Sequence, residues 1–118
     1  ELFSVDISPQ VFDAAVGMHG AGGFRAQCGL VEGTLMFLGL HLSSLGWSRE
    51  RTVQACRTYA EAFTRRFSSL SCRDLRPGGF NDDDPPHLCT ELTEQSVAFS
   101  RDFIGELVSK EQYAQKRP

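Results

Sequence analysis

No two of the four cysteines stand in a Cys-x-x-Cys pair, since Cys28, Cys56, Cys72 and Cys89 are far apart in the chain. That absence argues against a zinc ribbon, a thioredoxin-type motif and a c-type haem attachment site, all of which need closely spaced residues. Positive charge is not in excess either. With a net charge of −3, the chain offers no electrostatic case for nucleic acid or an anionic membrane as partner. The apolar run from Leu30 to Leu45 is too short for a membrane span and carries Glu32 and His41. No signal peptide is visible. The chain opens at Glu1 without a methionine, as a processed or truncated product would, which leaves the address open: cytoplasmic, or exported if a targeting segment precedes Glu1. Strand patterns and internal repeats are missing. So is the serine, histidine and acid setting of a conventional hydrolase, and a cysteine paired with His19 or His87 could imitate one only through geometry.

What is present describes an ordinary globular chain of 118 residues, 41% hydrophobic and 23% charged. That is one expected domain, residues 1–118, with enough length for a modest core. The stretch that organises it is Cys28-Gly29-Leu30-Val31-Glu32-Gly33-Thr34-Leu35-Met36-Phe37-Leu38-Gly39-Leu40. Apolar residues fall on every side of its helical wheel, which describes a central helix packed round by others. Gly29 and Gly33 share one face, where glycine lets another backbone or a bound group come close. Each costs roughly 1 kcal/mol of helix propensity against alanine. The run from Gly17 to Gly23 precedes it, and Gly22, Gly23, Gly29 and Gly33 are the candidate cofactor-contacting positions. A nucleotide loop is disfavoured, because no Gly-Lys-Ser/Thr ending and no preceding strand are present. Cys28 stands at the start of the helix. Unpaired N–H groups and the positive end of the dipole favour a thiolate there.

The rest reads as further helices. Ser8-Pro9 starts a short one, with serine as N-cap and Val11, Phe12 and Ala15 as its apolar face. Gly46-Trp47-Ser48 ends the central helix and starts the next, with Ser48 as N-cap and Trp47 as a staple against Thr52 or Val53. Val53, Cys56, Ala60, Phe63, Phe67 and Leu70 then fall at spacings of three and four, a bundle seam. Cys56 inside that seam reads as a small hydrophobe. Ser71-Cys72-Arg73-Asp74-Leu75 closes the helix or adds one turn, and Arg76-Pro77-Gly78-Gly79 breaks it. Asn81-Asp82-Asp83-Asp84 lacks the alternation of a calcium loop and reads as solvated acid. Asp84 is the expected N-cap of the last helix, with Cys89 in its first turn. Leu88, Leu92, Phe99, Phe103 and Leu107 form its buried stripe. The tail, 110–118, is polar and expected to fray. The expected architecture is all-α, a compact bundle of about four helices. In an up-and-down bundle Cys28, Cys72 and Cys89 meet at one end, with Cys56 well down the bundle.

Cys28-Gly29-Leu30-Val31-Glu32-Gly33, Ser71-Cys72-Arg73-Asp74-Leu75 and the pre-helical Cys89 resemble the C-GCAxxG-C-C family of redox-active proteins, named for four cysteines around a Cys-Gly-Ala-x-x-Gly motif. The resemblance covers about residues 12–107. Leu30 stands in place of the motif's alanine. The family's first cysteine has no counterpart between Glu1 and Gln27, and Cys56 does not align with it. The resemblance implies bacterial or archaeal redox chemistry near oxidoreductase or transporter systems, with an iron–sulfur cluster as a cofactor. Zinc, or no metal at all, is the alternative. Three cysteines leave one ligand short, a place His87 or His19 could take. A metal-free thiol–disulfide protein and a helical interaction module with structural cysteines are the other readings. A homodimer could cover an open groove left by a missing first helix.

Overall fold

The computed structural model describes residues 3–18, 22–76, 78, 83 and 88–116, the side chains of 111–116 excepted. Among them lie five helical segments: α1 (Pro9–Val16), α2 (Gly29–Ser44), α3 (Arg49–Phe67), α4 (Cys72–Leu75) and α5 (Thr90–Lys116). No strand is present among the described residues, only a single bridge between Gln27 and Ser71. The all-α expectation holds, with α4 as the extra single turn.

Local chemistry sets the helix ends. Ser8 and Ser48 cap α1 and α3 by accepting from the amides of Gln10 and Arg51 at 3.3 and 3.2 Å. Gly46, at φ 84°, takes the left-handed turn after α2 that a residue with a Cβ would resist. Ser68 ends α3 in the left-handed region without that help, at φ 75°. The polar end of α5 does not stop at Lys110, because the helix continues to Lys116.

Helix α2 packs against α3 and α5. Val31, Leu38 and Leu42 from α2, Ala55, Tyr59 and Phe63 from α3, and Ile104 from α5 are buried together. Phe67, Phe99 and Phe103 pack on this cluster. The Phe67 and Phe99 rings meet edge-on at 5.7 Å, and Tyr59 meets Phe103 edge-on at 5.3 Å. Leu35 and Phe37, also expected in the core, sit half-buried at its margin.

Three expectations need correction. The α3 seam is turned by about one residue: Thr52, Ala55, Tyr59 and Phe63 are buried, whereas Val53 is 60% exposed. Trp47 packs against the core cluster, and the Arg51 guanidinium lies over its ring at 4.0 Å. The second correction is in α5, whose deepest residues are Ser96, Ser100 and Ile104, with the phenylalanines flanking them. Ser100 bonds Tyr59 Oη at 2.7 Å and Thr34 Oγ1 at 3.3 Å, so hydroxyls from α2, α3 and α5 meet. The third concerns Gly29 and Gly33. Among the described residues a Cβ at either would meet nothing within 4 Å, so none of that backbone approaches them, and their face of α2 is open there.

His41 was visible in the sequence only as a polar residue in an apolar run. It is buried in α2 beside the Phe3 and Phe37 rings, at 5.7 and 5.4 Å, with Nδ1 unpartnered. The first helix is the loosest element. It has no buried residue, and Phe12 and Val16 are exposed, as is Phe24 beyond it. The acidic stretch around Asp83 and the Asp84 N-cap fall largely outside the described residues.

Candidate thiol site

The turn of chain before α2 and the one before α4 are joined by two backbone hydrogen bonds. The Cys28 amide donates to Leu70 O at 2.8 Å, and the Cys72 amide donates to Ala26 O at 2.7 Å. These flank the antiparallel pair Gln27 and Ser71. Side chains alternate along an extended chain, so residues one step either side of that pair share its opposite face. Cys28 and Cys72 are thereby diagonal neighbours, a relation that usually places Cα atoms about 7–8 Å apart. A disulfide needs about 4.4–6.8 Å, so a small inward movement would be required to close one.

Cys28 is the N-cap residue of α2 and is 6% exposed. Its side chain makes no capping bond. Cys72 is the first residue of α4 and half-buried. It follows α3 as a separate turn and does not close it. Cys89 is half-buried just before α5, and its carbonyl accepts from the Thr93 amide at 2.8 Å, the first bond of that helix. All four cysteines are free thiols.

Electrostatics links three of them. Burial pushes the Cys72 thiol up from its ordinary value, and the charges of Cys28 and Cys89 push the same way. The guanidinium groups of Arg76 and Arg25 act against this. Cys56 stands apart in α3, raised by burial alone. Gly22 and Gly23, at φ 71° and 85°, form the turn that brings the chain round to Arg25, also left-handed at φ 56°. Arg25 was not legible as a site residue, because nothing in the local sequence shows which helix end it faces.

An iron–sulfur cluster or a structural zinc asks for about four converging ligands. Among the described residues no group of three or more His, Cys, Asp or Glu side chains is arranged to hold a metal. His19 and His87, the candidate fourth ligands, lie outside the described residues. As described, the sulfurs do not make up such a set, although Cys72 feels the charges of the other two. No helix among the described residues is long and apolar enough to cross a membrane.

No curated protein and no solved structure matches the chain. A family described as "Putative redox-active protein (C_GCAxxG_C_C)" matches residues 2–103. That span takes in the bridge, Cys28, Cys72, Cys89 and most of the core, and the chain belongs to this family of redox-active proteins.

Proposed function

We propose that the protein is a thiol–disulfide redox protein in which Cys89, Cys72 and Cys28 act in series on the disulfide of a partner protein. The observation supporting this is that Cys72 lies within electrostatic reach of both other sulfurs and shares a face of the bridge with Cys28. Exposure supports the order, because Cys89 and Cys72 are half-buried while Cys28 is closed off. Cys89 as thiolate attacks the partner's disulfide. That S–S bond breaks, one partner sulfur leaves and takes up a proton, and a mixed disulfide forms. Cys72 loses its proton, attacks Cys89 Sγ and expels the second partner sulfur, which is protonated in turn. Cys28 then attacks Cys72 Sγ and releases Cys89 as a thiol. The partner gains two electrons and two protons, and the protein ends with a Cys28–Cys72 disulfide.

The raised Cys72 thiol makes its attack the slow step near neutrality, since the thiolate is the nucleophile. Family membership makes an oxidoreductase or a component of a transporter system the natural partner. Oxidised glutathione tests the order of the steps. With Cys72→Ser, glutathione should stay attached to Cys89 as a stable adduct. With Cys89→Ser, adduct formation should slow severely. A stable adduct on Cys28 in either variant would overturn the order.

The same three sulfurs support a second reading, an iron–sulfur cluster or zinc with a fourth ligand from His87 or His19. What favours it is that two other sulfurs lie within electrostatic reach of Cys72 where a disulfide needs one. Visible absorption of anaerobically purified protein, with zinc analysis, separates the two readings.

A further inference from the structure

We infer that the open Gly29/Gly33 face of α2 is one wall of a binding site for a small, neutral, apolar molecule bearing a hydroxyl group. The site is a cavity of about 410 Å³ between α2, α5 and the extended segment 3–7. That is within the range of small-molecule pockets, which are mostly apolar with a few placed polar groups. Phe3, Val5, Leu30, Phe37 and Ile104 give it apolar walls. Among the described residues Arg101 is the sole charged one lining it, and Arg101 Nε is paired with Asp102 at 3.1 Å. A neutral ligand is therefore favoured.

The polar groups define the rest. Thr34, Ser96 and Ser100 line the cavity. Thr34 Oγ1 donates its one proton to Leu30 O at 2.8 Å. Its contact with Ser100 at 3.3 Å then requires Ser100 to donate, and the 2.7 Å contact requires Tyr59 to donate to Ser100. Only this assignment makes all three bonds. It leaves Thr34 and Ser100 with a spare lone pair each and no proton to offer. Ser96 differs: it is 1% exposed, and what its side chain borders is the cavity. Its hydroxyl can donate to a ligand oxygen while that ligand's own proton goes to a neighbouring lone pair. A hydroxyl satisfies both demands. An ether or a hydrocarbon does not. This site is independent of the thiol chemistry, although Gly29 adjoins Cys28 in the chain.

2-Naphthol and its methyl ether, titrated calorimetrically into the full chain, test the inference. Saturable one-to-one binding of the naphthol is expected, with the ether about tenfold weaker, as the loss of one buried hydrogen bond implies. Ser96→Ala should reduce this preference for the naphthol. Gly33→Leu should abolish binding. It puts a side chain into open space and improves helix propensity, so the fold is retained, which circular dichroism checks. Equal binding of naphthol and ether, or binding unchanged by Gly33→Leu, would overturn the inference. So would self-association that buries this face in a second copy, seen as a sedimentation coefficient rising with concentration and blocked by Gly33→Leu.

Discussion

Cys28 and Cys72 are diagonal neighbours across the bridge between Gln27 and Ser71, 44 positions apart in sequence and tied by two backbone hydrogen bonds of 2.8 and 2.7 Å. The relation fixes where α2 begins relative to the end of α3. It also puts Cys28 and Cys72 on one face of the bridge without a bond between them.

Cys72 should titrate in response to its neighbours. Its thiol is raised first by burial and then by two like charges, so Cys89→Ala should move the pH midpoint of Cys72 alkylation downward. Burial keeps that midpoint above the ordinary value of 9.0. Arg76→Gln should move it upward. Iodoacetamide rates followed by mass spectrometry across pH 7–10.5 measure both shifts.

Cys56 should be dispensable for redox activity. Cys56→Ala leaves the three-sulfur site intact, and glutathione exchange should be unchanged. Cys56→Ser places a hydroxyl at the half-buried edge of the core and should cost about 1 kcal/mol in urea melts. The raised Cys56 thiol also has a pH signature. A group whose folded value lies above its unfolded value stabilises fully below the latter. Stability should therefore fall as pH rises past about 9, and less steeply in Cys56→Ala.

The hydroxyl cluster should behave as a clamp between α2, α3 and α5. Ser100→Val removes the acceptor of Tyr59 Oη and strands it in the core, at a cost of about 1–3 kcal/mol. Tyr59→Phe in that background should recover part of the loss, because the stranded group is gone. Phe63→Ala, which opens a cavity among the rings of Tyr59, Phe67 and Phe99, should cost about 3–5 kcal/mol. Chemical denaturation of these three variants and of Tyr59→Phe alone gives each value, and additive losses for Ser100→Val and Tyr59→Phe would show that no clamp exists.

Much of this was legible in the sequence because it is local. Ser8, Ser48 and Gly46 announce their helix ends through capping and turn chemistry that neighbouring residues complete. The end-to-end meeting of Cys28 and Cys72 followed from simple helix topology. The facing of α3 and α5 was harder to read. Apolar spacing picked Val53 and the phenylalanines, but Thr52 is buried with its hydroxyl bonded back to Ser48 O, Ser100 is buried with partners on α2 and α3, and Ser96 borders the cavity. Partners distant in sequence leave no periodic mark. Gly29 and Gly33 looked like a packing face for the same reason: glycine is equally suited to a close backbone and to an open wall, and only the neighbours decide.

The most direct test of the thiol site is the linkage formed when the purified protein is mildly oxidised with glutathione disulfide, digested without reduction and mapped by mass spectrometry. A predominant Cys28–Cys72 linkage, with Cys89 and Cys56 recovered as thiols, is the predicted result. Oxidation that leaves Cys28 and Cys72 unlinked, or that joins either of them to Cys56, would contradict it.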